Sequence, residues 1–292
     1  MSEAWSTRGL ASGTPFERFV GVGLGIDVHN EQPDWRALLG SGLPYDFFEV
    51  YTRGDTAQGE EVRAAAGDLP LLYHDDAMDP LLLEDLRDAE VERCAENLQV
   101  VGAPWTVCEL ATRRLGERYL DFFQPILLTS EAASAAATCF RALDERLPAR
   151  IVAENPPYQL PVGPLHVLEV LAQVTEEADI PCVLDLGHLL SFQLCRGLDP
   201  LAGLDDFPLE RVVELHVAGA VLDSSFGPVI YQDSHGAAPI PQTLFDMLAE
   251  VAPRCPELRA VTIEVEDACQ EEVERQLSST REAVKSLLEA RT

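Results

Sequence analysis

The residues of this chain that can do chemistry fall at the ends of short apolar runs. Cys182-Val183-Leu184 leads into Asp185-Leu-Gly-His188, Val212-Val213 leads into Glu214-Leu-His216, and Asp233-Ser-His235 follows. His74 closes the run 69–73, Glu109 closes 105–108, Glu154 closes 151–153 and Glu264 closes 260–263. The candidate metal ligands are therefore His74, Glu109, Glu154, Asp185, His188, His216, Asp233, His235 and Glu264. One histidine after a strand is more often a hydrogen-bonded structural group. Several carboxylates gathered in one place without cations would carry a prohibitive desolvation cost, which metal ions remove. Mixed imidazole and carboxylate donors suit iron, manganese or zinc, and ligand type alone does not separate these three. Bridging carboxylates such as Glu154 and Glu264 would let two or three ions sit close together.

Residues that end many different strands must converge on one point, and a (β/α)₈ barrel converges them at the C-terminal mouth of its strands. The apolar runs predict strands at 20–26, 47–51, 69–73, 105–108, 151–153, 181–184, 211–215 and 260–263. Helical spacing appears at 79–98, 130–147, 164–177, 241–251 and 268–290, with Ser130 as a cap and Pro148 as a stop. Strands alternating with helices predict a parallel sheet, here a TIM-like barrel occupying 20–292 as one domain. Residues 1–19 lack periodicity and read as a flexible tail. Gly21, Gly23 and Gly25 suggest a dinucleotide loop, but Ile26 follows and the third glycine of that fingerprint is missing, so a Rossmann site is rejected. There is no nucleophile elbow and no P-loop either.

Composition narrows the function classes. The chain has 21 basic against 50 acidic residues, a formal net charge of −29, and Lys285 is its one lysine. Such a surface repels nucleic acid, whose binding needs clustered cations. No apolar run reaches the length of a membrane span and the first residues lack signal-peptide character, so a soluble, cytoplasmic protein with no membrane partner is expected. The seven cysteines are scattered without a C-x-x-C pair, which argues against a disulfide framework, a structural zinc site or an iron–sulfur cluster.

Taken together, Gly21-Val-Gly-Leu-Gly25, Phe47-Phe48-Glu49-Val50, Glu154-Asn155-Pro156, Leu184-Asp185, His216-Val-Ala-Gly219, Asp233-Ser-His235 and Ile263-Glu264 resemble the multinuclear non-heme iron-dependent oxidative enzymes. That group includes methanobactin oxidase and the peptide-cysteine-modifying enzyme of thiaglutamate biosynthesis. The resemblance runs from about residue 20 to 267. It implies a barrel holding two or three irons (Fe2+/Fe3+), O2 as cosubstrate, and oxidation of cysteines in a ribosomally made precursor peptide, with a separate small partner protein that captures the peptide. By matching position it implies ligands at His74, Glu154, Asp185, His216, Asp233, His235 and Glu264. His188 stands where some members carry Asn and others His. His188 and Asn155 are the candidates for a catalytic part, with Tyr51 and His29 as outer groups, and for such residues a structural role is the commoner fate.

One departure stands out. Where the family usually reads Ser-Glu-His-Leu, this chain reads Cys108-Glu109-Leu110-Ala111, so Leu110 replaces an expected ligand. The same ligand order also resembles endonuclease IV, a trinuclear zinc enzyme acting on abasic DNA, through Asp185-x-x-His188, Asp233-x-His235 and Glu264. A hydrolytic zinc or manganese phosphodiesterase is thus the alternative, and a non-catalytic metal-binding barrel the third reading. Xylose-isomerase-like barrels share the architecture, but their catalytic lysine pattern has no place here.

Overall fold

Valine, isoleucine and leucine dominate the runs that precede each candidate ligand, the composition of strands covered on both faces. In the computed structural model, which describes residues 10, 12–116, 118–225 and 227–290, the strands are β1 (Gly21–Asp27), β2 (Phe48–Tyr51), β3 (Leu71–His74), β4 (Trp105–Glu109), β5 (Ala111–Leu115), β6 (Arg118–Pro125), β7 (Arg150–Glu154), β8 (Cys182–Asp185), β9 (Val212–Ala218), β10 (Ala220–Asp223), β11 (Ile230–Asp233) and β12 (Ala260–Glu264). Eight of them close into a parallel barrel in the order β1-β12-β9-β8-β7-β4-β3-β2. These are the eight strands expected from the sequence, with boundaries that differ by up to three residues. The other four form antiparallel hairpins, β5–β6 and β10–β11, over stretches where the sequence reading expects no strand.

Nine helices lie among the described residues: α1 (Trp35–Leu39), α2 (Thr56–Ala66), α3 (Asp88–Val101), α4 (Ser130–Arg146), α5 (Val167–Ala178), α6 (Leu186–Arg196), α7 (Gln242–Val251), α8 (Gln270–Ala283) and α9 (Lys285–Ala290). None is long and apolar enough to cross a membrane. The helix expected over 79–98 starts nine residues late. Asp79 is drawn instead into a buried ion pair with Arg114, and Leu82 is left exposed on the way to α3. The cap of α4 is Thr129, whose hydroxyl accepts from the Ala132 amide, one residue before the expected Ser130. The terminal helix is broken at Val284, between α8 and α9.

The barrel interior divides along its axis. At the N-terminal end, Leu10, Phe16, Val20, Phe47, Leu72, Trp105, Val107, Val152, Val183, Val213 and Ala260 form a dry cluster. The Phe16 ring meets Phe47 at 5.5 Å and Trp105 at 5.2 Å, both edge to face. The expectation of a flexible tail over 1–19 is corrected here for its described part. Thr14 caps a turn at Pro15–Glu17, and burying Phe16 under the barrel offsets the entropy of ordering it. Residues 1–9 and 11 lie outside the described residues. The glycines of β1 also find their reason: a Cβ on Gly23 would collide with the Phe47 ring. They make room inside a crowded barrel and cradle no phosphate.

Candidate metal centre

Strand register carries the polar residues to the opposite end. Glu154 sits one strand from Glu109, and Asp185 lies opposite His216. Asp185 also begins α6, its carboxylate accepting from the His188 amide at 2.5 Å, so the cap itself sets the Asp-x-x-His spacing. A Cβ on the intervening Gly187 would collide with the Tyr231 hydroxyl. After His216 the chain turns through Gly219, where the Ala238 carbonyl fills the place a Cβ would occupy. The β10–β11 hairpin then pairs Ala220 with Asp233 and returns Asp233 and His235 to the rim.

Five groups of ligand atoms result, each within 4.8 Å of one another: His74, Glu154, His216 and Glu264; Glu154, Asp185 and His188; His188, Asp233 and His235; His235, Glu264 and Glu266; and, deeper in the barrel, Glu49, Glu214 and His216. Glu154, His188, His216, His235 and Glu264 each belong to two of them, so the groups merge into one extended centre. His74 Nε2 is 3.1 Å from Glu154, and His216 Nδ1 is 3.0 Å from the same carboxylate and 3.6 Å from Glu264. His188 Nε2 and His235 Nε2 face Asp233 at 3.3 and 3.0 Å.

Whether metals fit can be judged from what these atoms lack. His74 Nδ1, both ring nitrogens of His216, and one oxygen each of Glu154, Asp185 and Glu264 are buried without a hydrogen-bond partner. Native structures rarely leave one such atom orphaned, and a cluster of them is what ligands around absent cations present. The donor set, nitrogen and oxygen only, fits iron, manganese or zinc.

The groups behind the ligands orient them. His188 Nδ1 faces the Asn155 carbonyl at 2.8 Å, His235 Nδ1 faces Glu266 at 3.0 Å, and the Tyr51 hydroxyl donates to Glu264 at 2.8 Å. His216 Nε2 lies 3.2 Å from Glu49 and 3.5 Å from Glu214. Glu214 in turn accepts from Trp105 Nε1 at 2.9 Å and Thr262 at 2.5 Å. A carboxylate behind a metal-facing imidazole fixes its tautomer and raises its basicity. Sequence reasoning passed over Glu49, Glu214 and Glu266 as ligand supports. One was readable in principle, because Glu214 stands two residues from His216 in β9 and so shares its face of the strand. Asn155 donates its amide to the Asp185 carbonyl and accepts from the Asp185 amide, both at 2.9 Å, so its side chain pins β8 rather than facing the cavity. His29 hydrogen-bonds the Thr52 carbonyl outside the centre.

Without metals the electrostatics are lopsided. Burial, with Glu214 adding to it, pushes Glu49 up to about 7, and burial does the same to Asp185. Glu154 is held down at about 2, because His216 and His74 outweigh its burial. His74 rises to about 9, its burial overcome by the Glu154 contact.

Glu109 stands outside every ligand group among the described residues. It lines the cavity with its oxygen 3.8 Å from His188 Nδ1, and burial together with Glu154 raises it to about 7. Leu110, where the resemblance implies a histidine, is fully buried in the main hydrophobic core. Above the centre opens a cavity of about 830 Å³, lined by Tyr51, His74, Glu109, Arg113, His188 and His235 among others.

Residues 21–287 match the model of a family described as RiPP precursor modification enzyme MbnB/TglH/ChrH. The chain belongs to this family. A UPF0276 protein of Neisseria meningitidis serogroup B is 32% identical over 143 residues, 48% of this chain and 50% of that protein. The chain thus spans about half the length of the Neisseria relatives it matches. A UPF0276 protein of Anaeromyxobacter sp. is 24% identical over 81% of this chain and 83% of its own. Among solved structures, endonuclease IV from Thermus thermophilus superposes with a TM-score of 0.58 at 16% identity, over 91% of this chain and 99% of that one. A xylose isomerase domain protein from Planctomyces limnophilus gives 0.57 at 12% identity, over 94% and 98%. At such identities the likeness is one of fold.

Proposed function

We propose that the chain is a multinuclear non-heme iron enzyme that uses O2 to modify cysteine residues of a ribosomally made precursor peptide. The observation that carries this reading is the set of orphaned imidazole and carboxylate atoms merged into one centre beneath an open cavity, in a member of a precursor-modifying family. His74, Glu154, Asp185, His188, His216, Asp233, His235 and Glu264 would hold two or three irons, Glu154 and Glu264 each belonging to two of the ligand groups. When bound, these ions supply the electron transfers and O2 chemistry that no side chain can.

The chain's own residues do the rest. Asn155, Glu49, Glu214, Glu266 and Tyr51 keep the ligands in register by the hydrogen bonds and close contacts described above. Glu109, facing the cavity with an oxygen 3.8 Å from His188 Nδ1, takes the proton of the substrate thiol on its carboxylate. Leu110 leaves one ligand fewer than the family pattern, which favours two tightly held ions over three. The cavity volume suits a peptide segment, and a partner protein that captures the rest of the precursor completes this reading.

DNA cleavage is the competing activity for this fold. The cavity is lined by Asp27, Asp76, Glu109, Glu266 and Asp267, which repel a phosphate backbone. The test is anaerobic purification with metal analysis and Mössbauer spectra, then O2 uptake with a cysteine-bearing peptide. Two or more irons per chain and peptide-dependent O2 uptake are expected. Stoichiometric zinc with cleavage of abasic DNA overturns the proposal, and a filled site that never consumes O2 with such peptides reduces it to a metal-binding barrel.

A further inference from the structure

The β5–β6 hairpin rises from the barrel rim directly after Glu109, and its sequence puts two arginines side by side. They meet opposite fates. Arg114 is buried, with Nε 2.7 Å from Asp79 and a second ion pair to Glu90. Thr112 and the Arg113 amide also bind Asp79, at 3.0 and 2.8 Å, so this one carboxylate anchors the strand. The ladder is irregular between Thr112 and Arg114. Alternation along a strand then turns Arg113 to the other face, and a bulge re-aims it. It lands in the wall of the cavity, its guanidinium stacked 3.9 Å from the centroid of Phe123, another wall residue.

Most of the described arginines sit in ion pairs with carboxylates, among them Arg53, which lines the same cavity and is held by Asp27. Arg113 makes no ion pair among the described residues, and its Nε is buried without a hydrogen-bond acceptor. A guanidinium seated over an aromatic ring, with a buried N–H that no acceptor takes, is placed to fork onto a carboxylate. Once divalent ions cancel the charge of Glu154, Asp185, Asp233 and Glu264, Arg113 is the cation facing the cavity from the hairpin side.

We propose that Arg113 reads a carboxylate of the bound peptide, either the C-terminal α-carboxylate or an Asp or Glu side chain next to the modified residue. This rests on the reading of the chain as a peptide-modifying enzyme and goes beyond it by naming the group that selects the peptide.

The experiment measures binding, by fluorescence anisotropy without O2, of three labelled peptides to the full iron-loaded chain. The peptides are Gly-Ser-Gly-Ala-Ser-Cys as the free acid, the same sequence as C-terminal amide, and that amide with Glu in place of the Ser that precedes Cys. One carboxylate-bearing peptide should bind on the order of 10- to 100-fold more tightly than the plain amide. Which one it is identifies the source of the carboxylate. Arg113→Gln should erase this advantage while leaving amide affinity unchanged, Arg113→Lys should retain only part, and Phe123→Leu should weaken it by removing the platform. Thermal unfolding and iron content of each variant report whether the fold and centre survive. A carboxylate advantage that persists in Arg113→Gln overturns the proposal, as does an amide that binds as well as both acids. In those cases the peptide reading stands. If none of the three binds the unaltered protein, the peptide reading falls and this proposal with it.

Discussion

At the N-terminal end of the barrel, Phe16, Phe47 and Trp105 meet edge to face over a floor of Val107, Val152, Val183 and Val213. Toward the C-terminal end the barrel strands carry His74, Glu154, Asp185, His216 and Glu264, with ring nitrogens and carboxylate oxygens left without hydrogen-bond partners. One end is complete with the protein's own atoms and the other is not. The bottom therefore holds the barrel closed, and the mouth holds charges whose repulsion the bottom must withstand until cations arrive. Glu214 lies at the boundary, tying Trp105 of the packed end to the His216 neighbourhood of the reactive end.

The sharpest way to break this contrast is to remove a residue that touches many others at the mouth. His216→Ala should abolish stoichiometric iron binding, read by metal analysis, and leave no peptide-dependent O2 uptake. Unchanged iron content would displace the centre from these strand ends. The matching change at the other end is Phe16→Ala, which should cost about 3–5 kcal/mol of stability while iron per folded chain stays the same. Denaturant unfolding and metal analysis on one preparation check both halves.

A smaller effect is expected one layer behind the ligands. Glu49→Gln keeps the shape of the side chain facing His216 but removes the charge, and should weaken iron affinity roughly 10- to 100-fold without loss of fold. Competition with a chelator of known affinity measures it, and affinity equal to the unaltered chain would make Glu49 a bystander.

The smallest effect is a pH slope. In the metal-free chain Glu49, Glu109 and Asp185 are pushed up to about 7 and His74 to about 9. Raised groups bind protons in the folded state that the unfolded chain has released. Their contribution is present at low pH and lost as pH climbs through the folded values, so metal-free stability should fall between about pH 5 and 9. Bound metal takes the place of those protons, so the loaded chain should show a flatter profile of thermal midpoint against pH. Equal slopes with and without metal would mean that these groups do not face the ions.

Much of this was legible in the chain. Each barrel strand was marked by a short β-branched or aliphatic run, because a strand buried on both faces tolerates little else. Eight of the nine candidate ligands could be placed in one centre because strand ends in a parallel barrel share a mouth. Glu109 was placed at that mouth but not among the ligand groups. The hairpins were harder, since β10 and β11 carry exposed Val221, Leu222 and Ile230 and so lack the burial pattern that flags a strand. The helix over 79–98 was misjudged because periodicity cannot see that Asp79 is needed by an arginine 35 positions later.

By itself, then, the sequence determined the barrel, the donor types and the strand ends that carry them, since these follow from local composition and from a period of two along each strand. Only the tertiary structure decided that Glu154 and Glu264 lie where groups meet, that Glu109 stays at the rim, that Leu110 turns into the core, and that Glu49 and Glu214 stand behind His216. Those outcomes depend on register between strands far apart in the chain. A one-residue shift in register moves a side chain to the other face of a sheet, and the near-continuous apolar runs of strands buried on both faces do not choose between registers.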